Sequence, residues 1–270
     1  MHTEMKNIRK YGLLMGVLVL GACATVPLTG RKRLSIIDDA GLRQEASLAY
    51  DQFLSSPEVK VIKGSSEANM VQQVGSRIAS AVDQYLRNNG LADQYNYQWE
   101  FNLVQDKNIN AWCMPGGKVA VFSGLIPVAK TDAGLAAVMG HEIAHAIAQH
   151  SAERASQMLV TQAGGVAVGM STAEKSAATQ MVVNQIYGVG GQLALLNYSR
   201  KQESEADKMG LVFMAMAGYN PNEAVVFWQR MQQANSGQQV PELLSTHPSD
   251  ARRIRDLQQL VPQAMQYYKK

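Results

Sequence analysis

Residues 138–146 contain a His-Glu-x-x-His pattern formed by His141, Glu142 and His145. On an α-helix, side chains four positions apart lie on the same face. His141 and His145 can therefore direct two imidazoles at one metal ion, and zinc suits imidazole ligands. Glu142 lies one step round the helix, where it can take a proton from water at the open side of the metal. The alternative is a pair of helical histidines that are neighbours by chance.

A second polar segment, residues 198–207, opens a later helix and supplies two carboxylates on one face, Glu203 and Asp207. Glu205 points elsewhere. A zinc hydrolase needs a third protein ligand, and ligating imidazoles are held by a carboxylate on their other nitrogen. We therefore predict one zinc ion per chain, with Glu203 as its third ligand and Asp207 as the hydrogen-bond partner of a histidine. The alternative is an acidic helix start, where carboxylates favour the helix dipole.

These two motifs together resemble the gluzincin metallopeptidases of family 48, a group that includes the CAAX-prenyl endopeptidase, HtpX, LoiP and BepA. The resemblance covers about residues 35–260. Residues 110–125 are similar to the family's edge strand over the active site, and residues 246–253 to a segment whose histidine and arginine face the cleft. The resemblance implies a substrate-binding group and a catalytic group, namely Asn110, Ala111, Gly116 and Gly117 for the first, and Glu142, His247 and Arg253 for the second.

The role of His247 stays open between three readings. It can stabilise the oxyanion of a tetrahedral intermediate alongside Arg253. It can occupy the fourth zinc position and close the enzyme in a resting state. Without the resemblance, it is a turn residue before Pro248, because a residue that precedes proline is extended. Arg253 can equally be one more cation on a solvated helix.

Two further residues are expected to stay out of the chemistry. His150 lies five positions beyond His145 and off its face, so we predict a surface or second-layer histidine. Cys113 has no catalytic partner pattern around it and is expected to pack as a small hydrophobic side chain.

The elements that must position these residues can be predicted from periodicity and caps. Helices are expected over residues 39–55 and 66–88, followed by an alternating strand over residues 97–103 and a hairpin of strands 111–114 and 118–122. The metal helix should start at Thr131 or Asp132 and continue past His150 to about residue 159. The expected fold is α+β and mostly helical, a zincin-type metalloprotease whose small sheet has its edge strand beside the active-site helix.

The N-terminus predicts export. A basic start, a short apolar run and small residues describe a signal peptide over residues 1–22, too short to span a membrane. The segment Leu20-Gly21-Ala22-Cys23 resembles a bacterial lipobox, which makes Cys23 the lipidated residue and residues 23–37 a tether. An ordinary signal peptide cut nearby is the alternative. Ala24 after the cysteine favours the outer membrane over the inner one.

The metallopeptidase domain is expected over residues 38–262, with a tail at 263–270.

Composition restricts the class of protein. The chain has 270 residues, 46% hydrophobic and 17% charged, which is typical of globular proteins. The net charge is only +3, and no basic stripe with interleaved aromatic residues is present. We therefore do not expect the protein to bind nucleic acid. The apolar stretch 160–196 can be a mobile lid, a lipid-facing flap or a buried helical pair, and a partly mobile helical insertion near the site is the reading we prefer. Because the sequence ends at Lys270 and lacks predicted transmembrane helices, neither C-terminal helical repeats nor prenyl-protein processing is expected.

The sequence thus predicts a zinc-dependent endopeptidase, lipid-anchored at the periplasmic face of a bacterial outer membrane. The resemblance implies misfolded or unassembled envelope proteins as its substrates. The alternative is an envelope lipoprotein that acts as an assembly factor or holdase, with a latent or structural zinc site.

Overall fold

The computed structural model describes residues 23–162, 177, 198–234, 241–248 and 251–268. Over these residues the chain is a mostly helical α+β protein, as predicted. The helices are α1 Asp39–Ser55, α2 Ser66–Asn88, α3 Ile126–Ala129, α4 Asp132–Ile147, α5 His150–Gln162, α6 Arg200–Met216, α7 Asn222–Ala234, α8 Glu242–Thr246 and α9 Ala251–Ala264. The strands are β1 Cys23–Thr25, β2 Lys32–Leu34, β3 Val61–Ile62, β4 Glu100–Val104, β5 Ala111–Met114 and β6 Lys118–Phe122.

The larger sheet has four strands in the order β3-β4-β6-β5. Strands β4 and β6 are parallel, whereas the two outer pairs are antiparallel. Strand β5 lies at the edge and packs against α4, so the edge strand borders the metal helix as predicted. Gly116 and Gly117 turn the chain between β5 and β6 with φ of +90° each, a conformation that favours glycine.

Most predicted element bounds are confirmed. Helix α1 is capped by the Asp38 carboxylate, α2 by the Ser65 hydroxyl and α4 by the Thr131 hydroxyl. The alternation over residues 97–103 also holds, since Tyr97, Phe101 and Leu103 are buried, but the paired strand begins only at Glu100.

The predicted continuation of the metal helix past His150 is wrong. Helix α4 ends at Ile147, and Gln149 adopts a left-handed backbone conformation with φ of +54°. Helix α5 then starts afresh at His150. A non-glycine residue is rarely left-handed, and nothing in the local sequence signals this break.

Residues 23–34, the larger part of the predicted tether, are folded against the rest of the protein. These residues form an antiparallel hairpin of β1 and β2, with Ala24 opposite Arg33. Val26 and the Arg33 side chain are buried, and Arg31 forms ion pairs with two other elements. Arg31 and Arg33 therefore pair with protein carboxylates, whereas Lys32 between them is exposed.

Helices α4 and α6 cross in close backbone contact. A Cβ atom built on Gly210 would lie 2.9 Å from the amide nitrogen of His141 and 3.0 Å from the carbonyl carbon of Gly140. Residues 134–147 of α4 are all buried, so the metal helix runs through the core. This crossing places the carboxylates of α6 directly against the histidines of α4.

Two predicted segments lie outside the described residues, the signal peptide over residues 1–22 and most of the apolar stretch 160–196. Among the helices that the structure describes, none combines the length and apolar character needed to cross a membrane.

Candidate metal centre

Four buried side chains from three elements converge on one point. His141 and His145 come from α4, Glu203 from α6 and His247 from the residue after α8. One ligand atom of each lies within 4.8 Å of the ligand atoms of the other three. The predicted ligands are thus brought together, and His247 joins them.

The distances between these atoms fit a metal ion. The Nε2 atom of His141 lies 3.1 Å from His145 Nε2 and 3.2 Å from His247 Nδ1. The Oε1 atom of Glu203 lies 2.9 Å from His247 Nδ1 and 3.4 Å from His145 Nε2. Ligands bound tetrahedrally to zinc at about 2.0–2.1 Å are about 3.3 Å apart. Imidazole nitrogens and carboxylate oxygens are both zinc ligands in proteins.

Two buried oxygen atoms in the centre support the same conclusion. Glu142 Oε1 and Glu203 Oε2 have no hydrogen bond among the described residues, although His247 Nε2 lies 3.6 Å from the first atom and Arg253 Nη1 lies 3.4 Å from the second. A buried carboxylate oxygen without a partner is costly. A metal ion and its water would satisfy both atoms, so the residues present fit a zinc site.

The charge states of the ligands are set by burial and by neighbouring groups. Burial opposes the ionised form of Glu203, but the charge of His247 and hydrogen bonds with the three histidines hold its pKa well below the usual range. Burial lowers the pKa of His145 well below its ordinary value. An ionised carboxylate and a neutral imidazole are the forms that bind metal.

His141 differs, because burial and Arg253 oppose its charge while hydrogen bonds with Asp207 and Glu203 raise its pKa to about 9. Zinc binding at neutral pH should therefore displace a proton from this ring.

The other ring nitrogen of His141 faces Asp207. The Asp207 Oδ1 atom lies 3.0 Å from His141 Nδ1, as the predicted role of Asp207 requires. This hydrogen bond places the proton on Nδ1 and leaves the lone pair of Nε2 for the metal. Burial opposes the ionised form of Asp207, but Arg253 and His141 hold its pKa below the usual value.

Arg253 contacts both Asp207 and the ligand Glu203, whose Oε2 atom lies 3.4 Å from Arg253 Nη1. Its guanidinium donates to both carboxylate oxygens of Asp207, at 2.9 and 2.7 Å, and stacks 3.5 Å above the ring of Trp228. It also donates to the backbone oxygen of His247 at 3.2 Å. The alternative of a solvated cation is wrong, because Arg253 is buried. It still lines a cavity of about 240 Å³ beside Glu203 and Asp207.

Glu142 lies beside the ligands with its carboxylate buried. Its Oε1 atom is 3.6 Å from His247 Nε2. Burial raises the pKa of Glu142, and the charges of His247 and His141 offset part of that rise. A carboxylate with a raised pKa in this position can act as a general base.

Sequence reasoning missed a second group of polar residues behind His145. His150 is completely buried, so the surface reading is wrong and the second-layer reading holds. Its Nδ1 atom lies 2.8 Å from His145 Nδ1, and its Nε2 atom lies 3.0 Å from Glu205 Oε2. Tyr198 stacks on His145 with ring centroids 4.0 Å apart. The histidine spacing was visible in the sequence, but the break at Gln149 that redirects the ring was not.

The residues predicted to bind substrate lie along β5 and its turn. The Asn110 side-chain oxygen accepts the Ala111 amide at 2.9 Å. The carbonyls of Gly116 and Gly117 accept the backbone amides of Gln98 and Glu100, which fixes the turn. Substrate contact by these four residues stays a prediction.

Neither cysteine belongs to the donor cluster found among the described residues. Cys113 is half-buried on β5, and burial raises its pKa well above the ordinary value, which suits a packed thiol. Cys23 is exposed at the start of β1.

Comparison with known proteins, like the geometry of the centre, indicates a metallopeptidase. The model of peptidase family M48 matches residues 65–261. The mitochondrial metalloendopeptidase OMA1 of Schizosaccharomyces pombe is 32% identical over 269 residues, or 95% of this chain and 74% of that protein. The human metalloendopeptidase OMA1 is 30% identical over 266 residues, or 96% of this chain and 50% of that protein. The metalloprotease LoiP of Escherichia coli is 27% identical over 251 residues, or 90% of this chain and 95% of that protein. The chain therefore spans about half the length of the human relative and nearly all of LoiP.

Proposed function

This chain belongs to peptidase family M48, and on that premise we propose that it is a zinc-dependent endopeptidase that degrades misfolded or unassembled proteins of a bacterial cell envelope. The observation that carries the activity is the convergence of four metal donors beside Glu142, whose buried Oε1 atom has no hydrogen bond among the described residues. The choice of substrate rests on the predicted export signal and on the family resemblance.

His141, His145 and Glu203 would hold the metal from three sides. Zinc bound there supplies a Lewis acid that polarises a peptide carbonyl and makes water more acidic. Glu142 takes the proton from the attacking water and passes it to the departing amine. Its raised pKa brings it closer to the neutral range in which a shared acid and base works well.

We propose that His247 closes the centre in the state described here. Its Nδ1 atom lies 3.2 Å from His141 Nε2 and 2.9 Å from Glu203 Oε1, in the place of a fourth ligand. A catalytic zinc site keeps one position open for water. His247 must therefore move aside before substrate reacts. The oxyanion role is the alternative, supported by the 3.6 Å distance from His247 Nε2 to Glu142 Oε1.

Arg253 supports the centre through Asp207, with which it shares two hydrogen bonds. Its positive charge stabilises the ionised Asp207 and also lies 3.4 Å from Glu203 Oε2. A direct contact of Arg253 with the reacting carbonyl stays a prediction of the resemblance.

The substrate is proposed to bind as an added strand along β5. No strand of the described residues pairs with the outer edge of β5. Because Phe122 donates to the Asn110 carbonyl, the antiparallel alternation turns the backbone groups of Ala111 and Cys113 towards that edge. Pairing through the backbone gives broad selectivity. Such selectivity suits a protease of unfolded chains.

The proposed location is the periplasmic face of the outer membrane, with a lipid anchor on Cys23. Two observations support it, the signal-like residues before Cys23 and the exposure of Cys23 at the start of β1. Mass spectrometry of the membrane-extracted protein tests this directly. A mature chain that starts elsewhere, or an unmodified Cys23, would contradict the anchor.

The activity is tested by digestion of casein with the purified protein. Zinc-loaded protein should cleave casein, a chelator should abolish cleavage, and added zinc should restore it. Glu142→Gln keeps both imidazoles but removes the base, so cleavage should fall by about 10²–10⁴-fold while one zinc per chain is retained. Glu58→Gln, at an exposed glutamate, is the matched control. Full activity of Glu142→Gln would refute the role of the base.

A second function is favoured by the position of His247 in the donor cluster. A site closed by four ligands can be latent or structural, as in an envelope assembly factor or holdase. His247→Ala separates the two functions. If His247→Ala cleaves casein faster than wild type, or cleaves it where wild type does not, the chain is a gated protease. If neither cleaves, and removal of zinc unfolds the protein, the assembly function is supported.

A further inference from the structure

We infer that His150 is a positioning residue for the zinc ligand His145, and that the β1–β2 hairpin fixes it through Glu205, so that this hairpin sets the metal affinity of the centre. The inference rests on the zinc site proposed above, but not on cleavage of any substrate. It assigns a role to a buried histidine and to an N-terminal segment that the peptidase mechanism leaves unused.

The imidazole rings of His145 and His150 are in hydrogen-bond contact. His145 directs Nε2 at the metal position, and its Nδ1 atom lies 2.8 Å from His150 Nδ1. Two imidazole nitrogens at this distance need one proton between them. Because Nε2 of His145 gives its lone pair to the metal, Nδ1 of His145 carries the proton and donates it to His150.

The second step fixes the tautomer of His150. With Nδ1 as acceptor, the ring of His150 carries its proton on Nε2, which lies 3.0 Å from Glu205 Oε2. The chain of hydrogen bonds thus ends on a carboxylate. It gives His145 the support that Asp207 gives directly to His141. His145, His150 and Glu205 are all buried.

The third step ties Glu205 to the hairpin. Glu205 accepts hydrogen bonds from the Thr29 hydroxyl and, at 2.7 Å, from Arg31 Nε. Arg31 also donates to both carboxylate oxygens of Glu153 on α5, at 2.7 and 2.8 Å. One hairpin arginine therefore bridges α5 and α6, and a charge-assisted bidentate pair is among the stronger side-chain contacts.

The fourth step concerns the backbone. On a continuous helix, a residue five positions after His145 would face away from it. The left-handed Gln149 breaks the helix and returns the His150 ring to His145. The side chain of Gln149 accepts a hydrogen bond from Arg33, which is itself paired with Asp39. A second arginine of the hairpin thus holds the break.

The chemistry has a direct consequence for metal binding. Loss of an outer hydrogen-bond partner of a metal-ligating histidine costs about 10–100-fold in metal affinity. Removal of His150 should cost this much. Removal of Arg31 should cost less, because Thr29 still holds Glu205.

The test is the dissociation constant for zinc, measured on the full purified chain by competition with a chromophoric chelator. The d–d absorption of the Co²⁺-substituted protein serves as a second readout. His150→Ala should weaken zinc binding about 10–100-fold and shift the cobalt spectrum. His150→Gln should restore most of the affinity, because its amide oxygen can accept from His145 and its amide nitrogen can donate to Glu205. A structural role alone would not predict that rescue.

The hairpin is tested by a matched pair of neighbouring residues. Arg31→Ala should weaken zinc binding severalfold, whereas Lys32→Ala, on the exposed side of the same hairpin, should leave it unchanged. If His150→Ala does not fold, the comparison of Arg31→Ala with Lys32→Ala and the affinity of His150→Gln decide the matter.

Wild-type zinc affinity in His150→Ala, or equal affinities in Arg31→Ala and Lys32→Ala, would overturn the inference. Failure of the proposed function gives a different result, in which zinc affinities shift as expected but no variant cleaves casein.

Discussion

The buried pair of Arg253 and Asp207 offers the sharpest test of how the centre is built. Both side chains are buried, and the guanidinium donates to both carboxylate oxygens. Arg253→Met keeps an apolar chain over Trp228 but removes the charge, both hydrogen bonds to Asp207 and the hydrogen bond to the His247 backbone oxygen. Among the described residues, Asp207 would then retain His141 as its one partner.

The expected cost is large because one charge is left buried. Breaking a buried ion pair by removing one partner costs about 3–5 kcal/mol of unfolding free energy. At about 2–4 °C for each kcal/mol in a chain of this size, the melting temperature should fall by about 6–20 °C. Zinc affinity should also fall, because the carboxylate that orients His141 is no longer fixed.

Asp207→Asn in the background of Arg253→Met removes the stranded charge. The double variant should therefore be more stable than the sum of the two single losses predicts, by about 1–3 kcal/mol. Arg252→Met is the matched control, since that side chain is exposed and pairs with Asp256 at 3.7 Å. It should cost less than about 1 kcal/mol.

The assay is urea unfolding, followed by circular dichroism, of the zinc-free and zinc-loaded proteins. A loss below 1 kcal/mol in Arg253→Met, or strict additivity in the double variant, would refute the reasoning. Either result would mean that Arg253 does not hold Asp207 in solution.

Three further predictions concern the crossing of α4 and α6, the hairpin contact and the metal itself. Gly210→Ala should cost about 1–3 kcal/mol and weaken zinc binding, because its Cβ would meet the backbone of His141 at 2.9 Å; an unchanged melting temperature and zinc affinity would contradict it. Burial opposes the ionised form of Glu205, but hydrogen bonds from His150, Thr29 and Arg31 lower its pKa from 4.5 to about 2. The stability that this carboxylate contributes is therefore complete above about pH 5 and is lost as the pH falls towards 2. Glu205→Gln should remove this loss of unfolding free energy between about pH 5 and pH 2. An unaltered pH profile of unfolding would contradict the prediction. Chelation should lower the melting temperature, because zinc present at about 100 times its dissociation constant adds about 2.7 kcal/mol; equal melting curves with and without chelator would show that zinc does not stabilise the fold.

Much of this protein is determined locally and could be predicted from the sequence. The spacing of His141 and His145 follows from the helical repeat, and the caps of α1, α2 and α4 are the first residues able to accept the free amides. The strands β5 and β6 follow from alternation and from two glycines in the turn. Each of these features depends on neighbours within a few positions.

Other features were decided only by the tertiary structure. His150, Arg31 and Glu205 belong to one hydrogen-bonded chain, although Arg31 and Glu205 are 174 positions apart. No periodic pattern marks such a contact, because it depends on the crossing of α4 and α6 and on the left-handed Gln149.

The packing of distant elements also determined the positions of Arg31, Arg33 and His247. A run of basic residues is usually solvated, yet here Arg33 is buried and Arg31 pairs with two carboxylates. The sequence left three roles open for His247, and the packing of α8 placed it among the metal donors. Helical spacing determined which side chains share a face, whereas the packing of distant elements determined which of them hold the metal ligands in place.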